Sequence, residues 1–357
     1  MNKNSFDEVF TFIIPTGIGA SIGGYAGDGS YWARKFSSIR PLIVNANVVN
    51  AACFSGINEN ILYAEGWSID EFFSGRLAFS PSKNNKIGVI FDKEIPKDVL
   101  NVHINTINAV KTVYGIDVIG YEITKKNVGV NYEIDESGAS SGSVENPRTL
   151  VEAGKILLQK GAQAIAIVCL FPDEEDKIAD KNYSNGCGVD PIGGVESIIS
   201  HYVSKELFVP CVHAPAFRDY QIKSDIVDER AAAEYITPTF LPCLLLGLTN
   251  APLYNHFNYK ELESEQEKTK QNVKLTSNLL EKNQIIVHNI KGLIVPSTAL
   301  GSSAVFDAIE NNISVYAVKE NKTVLNVTKD AFLKKNCIIE IESYKELYKL
   351  LRQKYER

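Results

Sequence analysis

The feature that most constrains this chain is a run that stays apolar on both sides. Residues 162–171 (AQAIAIVCLF) show almost no alternation of apolar and polar positions. A strand with one wet face alternates. A strand that is apolar throughout needs cover on both faces, which is the habit of a parallel sheet with helices packed on either side. Shorter runs repeat the pattern at 9–15 (VFTFIIP), 41–44, 87–91 (IGVIF), 118–123, 207–212, 285–288, 293–295 and 315–318. Helix-period stretches alternate with them at 68–74, 99–114, 147–160, 195–203, 306–311 and 344–352. The apolar run 240–248 suits a strand or a short helix, and the polar stretch 258–282 suits a solvated helix. The alternation predicts an α/β fold, with mostly parallel sheets, helices on both faces and a Rossmann-like plan. At roughly 150 residues per domain, 357 residues suggest two lobes. The Gly/Ser-rich ESGASSGSVEN interrupts the rhythm. The expected division is therefore an N-terminal lobe over 1–126, a linker or mobile loop over 127–146 and a C-terminal lobe over 147–357.

Charge and cysteine usage narrow the function class. The net charge is −6, which argues against a nucleic-acid partner, because such a partner needs a basic face. The first ten residues lack the apolar core of a signal peptide, and the longer uncharged runs are broken by Pro, Gly or Asn. No membrane partner is expected. Six cysteines, at 53, 169, 187, 211, 243 and 337, are scattered without CxxC spacing. Neither a disulfide framework nor a zinc knuckle is encoded, and a cytoplasmic location is expected. A homo-oligomer remains compatible with the sequence.

Several loops have the composition of binding loops. PTGIGASIGGYAGDGS, residues 15–30, follows a buried strand directly. Ile22 stands where a dinucleotide fingerprint needs glycine, and GK[ST] is missing, so no nucleotide-cofactor motif is present. Backbone amides freed of side chains can still converge on a ligand at a strand end. Thr16, Gly17, Gly19, Ser21, Gly23 and Gly24 are the binding candidates here, and Asp28 adds a carboxylate. Asn47 and Asn50, after the next strand, can orient polar groups. GCGVDPIGGVESIISH places Asp190, Gly193 and Gly194 before a helix that carries Glu196 and His201. His213 then falls at an expected strand end, with Asp190 or Glu196 placed to orient it as an acid or base. Arg230 suits a carboxylate or phosphate if buried, and otherwise pairs with Glu234 four residues on. Ser302 and Ser303 open a later helix after Gly301. The spacing of Asp190, His201 and His213 is not diagnostic of a metal, and none is assigned.

The blocks FIIPTGIGASIGGYAGDGS, YAEGW, KIGVIFD, GVDPIGGVESIISH, VPCVHAPAF, RAAAEYITPTFLPCLLLGL and AVKENKT together resemble the domain of unknown function 3326 family over nearly the whole chain. That resemblance implies one ancestral architecture for these loops and brings no reaction with it. A shorter likeness, GAQAIAIVCLFP with Cys169 ending a strand, is similar to the pattern of aspartate and glutamate racemases and keeps isomerisation among the candidate reactions.

The expectation is a cofactor-independent hydrolase, lyase or isomerase acting on a small polar, anionic metabolite. Asp28, Asp190 and His213 are its catalytic candidates. The competing expectation is a non-catalytic metabolite-binding or regulatory protein.

Overall fold

The computed structural model describes residues 6–172, 177–219, 222, 225–257 and 284–356. The expected polar helix at 258–282 lies outside the described residues. Ten strands build two parallel sheets: β1 (Val9–Phe12), β2 (Leu42–Asn45), β3 (Ile61–Ala64), β4 (Ile87–Phe91), β5 (Val118–Ile123), β6 (Ala164–Leu170), β7 (Cys211–Ala216), β8 (Ile290–Pro296), β9 (Val315–Val318) and β10 (Ile338–Ile341). The fold is Rossmann-like α/β with helices flanking both sheets. β3, in YAEGW, and β10, in IIEI, are short strands that the hydrophobic pattern alone passes over.

The larger sheet has the order β3-β2-β1-β8-β9-β10, all parallel. The order reverses between β1 and β8, and doubly wound sheets open a ligand crevice beyond the strand ends at such a reversal. The smaller sheet has the order β5-β4-β6-β7, also parallel. All its strands come from the stretch between β3 and β8, so the chain makes half of one sheet, builds a second, and returns to complete the first. β1 to β4, β6, β7 and β9 are buried along their length, as the continuous apolar runs required, whereas the edge strand β5 is buried only at Val118.

The helices used below are α1 (Ser30–Ser37), α2 (Gly66–Phe73), α3 (Lys97–Tyr114), α4 (Arg148–Gln159), α5 (Gly193–Leu207), α6 (Leu241–Leu248), α7 (Ser303–Glu310) and α8 (Tyr344–Tyr355). α2 starts two residues before Ser68 because Glu65 is its cap, accepting from Ser68 N at 3.3 Å. α6 settles the ambiguous apolar run as a helix. It packs on β6, β7 and α3 of one sheet, and on the short elements after β2 of the other. Its Gly247 lies so close to the Tyr63 ring of β3 that a Cβ there would sit 2.6 Å from it. One apolar core therefore joins Phe10 and Phe12 of β1, Val89 of β4, Ala166 of β6 and the leucines of α6.

Residues 127–146 carry an antiparallel hairpin, Val130–Ile134 with Ser140–Val144, between β5 and α4. Its packing against α5 brings Ser140 to the glycine-rich loops.

Candidate functional site

A cavity of about 880 Å³ opens beyond the carboxyl ends of β1, β2 and β3, and residues of both sheets line it. Ile13, Pro15 and Thr16 come from the end of β1, Asn45 and Asn47 from the end of β2, and Glu65 and Gly66 from the end of β3. The first three turns of α5 supply Gly194, Glu196, Ser200 and His201. The segment before α6 supplies Glu234, Tyr235 and Thr237.

The glycines fit loops together. Ser140 N donates to Gly17 O at 2.8 Å, and Gly194 N donates to Ser140 Oγ at 2.7 Å. A Cβ on Gly194 would sit 2.0 Å from Ser140 O, and one on Gly193 would sit 2.5 Å from Thr16 Cγ2. The two glycine-rich regions thus meet at one place, wedged apart only by the hairpin. Gly17, Gly19 and Gly23 all hold positive φ, which side chains resist. Ile22, which breaks the dinucleotide pattern, is clamped by the buried Asn321: its N donates to Oδ1 at 3.0 Å and its O accepts from Nδ2 at 2.8 Å. Ser21 is tied to the same loop, donating to Glu320 O and accepting from Lys322 N.

Of the residues the sequence nominated, Thr16, Gly24, Asn47, Asn50, Asp190, Gly194, His213 and Ser302 line the cavity. Gly17, Gly19, Ser21, Gly23, Asp28, Gly193, Arg230 and Ser303 do not. Asp28 closes its own loop, with Oδ1 accepting from Gly23 N at 2.7 Å and Tyr25 N at 3.3 Å. Burial raises its carboxyl to about 6. Arg230 pairs with Asp228 at 2.9 Å, donates to Gly186 O at 2.6 Å and lies over the Tyr25 ring, so it does not make the expected pair with Glu234. Asn47 and Asn50 hold protein groups: Asn47 Nδ2 donates to Gly23 O at 2.7 Å, and Asn50 Oδ1 accepts from the Tyr63 hydroxyl at 2.6 Å.

His213 sits in mid-strand, because α5 runs to Leu207 and β7 starts only at Cys211. It pairs in register with Ile167. Its side chain is fully buried, with Nδ1 3.2 Å from Glu196 Oε1 and Nε2 without a hydrogen-bond partner among the described residues. The Glu196 side chain keeps 20% of its surface open. Glu196 therefore faces the cavity, and the imidazole stands behind it. Burial pushes the imidazole down to about 3 and the carboxyl up to about 8, so at neutral pH both are uncharged.

Two groups, Glu234 and Glu65, were not legible as site residues. Glu234 Oε1 accepts from Ala26 N and from the Tyr183 hydroxyl, both at 2.8 Å. Burial, then repulsion from Asp190, raises its carboxyl to about 8. Glu65 Oε1 lies 2.5 Å from His201 Nδ1, placed to form an ion pair once the ring is charged. Burial pushes the His201 imidazole down, but Glu65 and Asp70 outweigh it and the net shift is upward. Glu65 alone carried a signal, as an acid directly after a strand. Cys169, the racemase-like cysteine, is fully enclosed, and burial pushes its thiol far up, so no thiolate is presented.

The model of the family described as Protein of unknown function (DUF3326) matches residues 9–354. A protein of Synechococcus sp. that bears the name uncharacterized lipoprotein is 34% identical over 316 residues, which make up 88% of this chain and 82% of that protein. No solved structure matches the chain. No helix among the described residues is long and apolar enough to cross a membrane.

Proposed function

The chain belongs to the DUF3326 family of proteins of unknown function, and from that premise we propose that it is a small-molecule acid–base enzyme, a hydrolase, lyase or isomerase, with Glu196 as the proton-transferring group. One observation carries this reading: a carboxyl group open to an 880 Å³ cavity, held protonated to about pH 8 and backed 3.2 Å away by a fully buried imidazole. A general acid works best when it titrates near the operating pH. Glu196 meets that condition and opens to the cavity; Asp28, at about 6, lies outside the cavity, and His213, whose imidazole burial pushes down to about 3, does not titrate near that pH. His213 is a positioning residue here. In the forward step Glu196 gives its proton to an oxygen or nitrogen of the substrate, and the carboxylate then recovers one from water or carbon. Glu234, which also lines the cavity, is the second carboxyl, and both Asp190 and Glu196 act on it electrostatically.

The test is turnover. The protein is incubated with the small-molecule fraction of a bacterial extract and followed by mass spectrometry. Wild type depletes a compound and raises a product, and Glu196→Gln slows this about 10²- to 10⁴-fold without loss of folding. A compound that is retained but never changed sinks the enzyme reading and leaves a metabolite-binding or regulatory protein.

The reading includes a cytosolic setting, supported by six cysteines that are all free thiols. Recovery of the protein with lipid-extractable membranes would move it to the setting that the Synechococcus relative's name suggests.

A further inference from the structure

His201, in the third turn of α5, lines the cavity with 44% of its side chain open. Its Nδ1 is sealed and faces Glu65 Oε1 at 2.5 Å, so the open edge of the ring is the one that carries Nε2. Glu65 is fixed in its turn, because it caps α2. Its Oε2 accepts from Ser68 N at 3.3 Å, its carbonyl accepts from the Ser68 hydroxyl at 2.7 Å, and only 2% of its side chain is open. A buried carboxylate behind one ring nitrogen orients an imidazole and strengthens the other nitrogen as a base. Gly66 supplies the space. It opens α2 without a positive φ, yet a Cβ on it would sit 2.5 Å from His201 Cε1 and 2.9 Å from Nε2. The segment YAEGW thus provides both the partner of this ring and the gap it occupies. Burial pushes the imidazole down, but Glu65 and Asp70, which face it from α2, outweigh burial, and the Ser197 carbonyl of its own helix adds to them. Glu196 stands earlier on the same helix and lines the same cavity. A wall that gives one proton and takes another suits a proton shift within a single molecule.

We infer that His201 is the catalytic base of this cavity, and that the substrate is a small carbonyl compound with an acidic C–H beside the carbonyl. This rests on the acid–base enzyme reading above and narrows it to isomerisation. Glu65 and Gly66 are positioning residues. In the forward step Nε2 takes the proton from carbon. The C–H electron pair forms a C=C bond, the C=O π pair moves onto oxygen, and that oxygen takes the proton of Glu196. The result is an enol, an imidazolium and a carboxylate, with nothing oxidised or reduced. The reverse transfers collapse the enol to product. The imidazolium trades its proton with solvent in the meantime, so the carbon acquires solvent hydrogen.

Deuterium exchange tests it. The full chain is incubated in D₂O with the small-molecule fraction of a bacterial extract, the compounds are returned to H₂O, and mass spectrometry reads the deuterium left on carbon. At least one compound becomes labelled, and His201→Gln slows the labelling about 10²-fold or more. Glu65→Gln slows it about tenfold. It also moves the rising limb of the rate's pH profile to lower pH, because the carboxylate that favours the charged ring is gone. A merely structural Glu65 would not move that limb, so this variant keeps the test open should His201→Gln fail to fold. Labelling that ignores both substitutions overturns the inference. So does turnover that depends on Glu196 but puts no deuterium on carbon. Either outcome spares the enzyme reading. Labelling that needs His201 but ignores Glu196→Gln upholds His201 as the base and removes Glu196 from its proposed role. An extract with no compound labelled and none converted sinks both.

Discussion

Glu196 and Glu234 hold protons at neutral pH because the cleft wall raises both to about 8. The folded state therefore binds protons that the unfolded chain, titrating near 4.5, has released. The stability this gives is complete below about pH 4.5 and is lost as pH rises towards 8. A glutamine has no such proton to lose. We expect Glu196→Gln and Glu234→Gln to match wild type in urea unfolding at pH 5 and to exceed it at pH 9. The upper limit is roughly 5 kcal/mol each, from about 1.4 kcal/mol per pKa unit. A gain that is the same at both pH values would mean that the carboxyls are not proton-loaded. The residue scale is also where the sequence was hardest to read. His213 stood out because histidine is rare here, but the group that meets the cavity is Glu196, one turn into a helix, where an acid is commonplace. Glu234 was hidden by Arg230, four residues away, a spacing that usually marks a surface pair.

At the scale of elements, the glycine-rich loops show what composition can and cannot reveal. Their unusual make-up announced a special backbone, and the backbone is special: the loops pass within touching distance of each other and of the hairpin at Ser140. What composition could not reveal is that most of these glycines serve contacts between protein segments. Gly194→Ala puts a methyl group 2.0 Å from a carbonyl oxygen. We expect it to cost roughly 3 kcal/mol or more in urea unfolding, as overpacking does. Gly115→Ala, at the left-handed end of α3 with open space around it, should cost only about 1 kcal/mol. A Gly194→Ala protein with parental stability but lost ligand binding would return these loops to a direct binding role. The hairpin itself was missed because its second strand, Ser140–Val144 (SSGSV), has Val144 as its single β-branched residue and no aromatic, although the first, Val130–Ile134 (VNYEI), carries Val130, Tyr132 and Ile134. It is held by packing on α5 rather than by propensity.

At the scale of the whole molecule, strand–helix alternation was legible because period and length report burial directly. The partition into sheets was not, since no local pattern tells β1 that its second neighbour is β8. Pairing over that distance is decided by which apolar edges remain open. The two sheets share a core through α6, and they should lose structure together. Leu245→Ala, at a fully buried position, is expected to lower stability by about 2–5 kcal/mol while keeping a single transition by calorimetry. Two separated transitions would show that α6 does not couple the sheets.

The return of the chain to its first sheet also has a consequence in time. Val9 pairs with Ile290, so the central strand of the larger sheet waits about 280 residues for its second neighbour. At ~5–20 residues per second, a ribosome needs roughly 15 to 55 s to supply it. During that interval the smaller sheet is complete in sequence, while β1 still shows an unpaired edge of Val, Phe, Thr and Phe. The nascent protein passes through a stage with one finished sheet and one half-made sheet, and the half-made one is the surface a chaperone would have to cover.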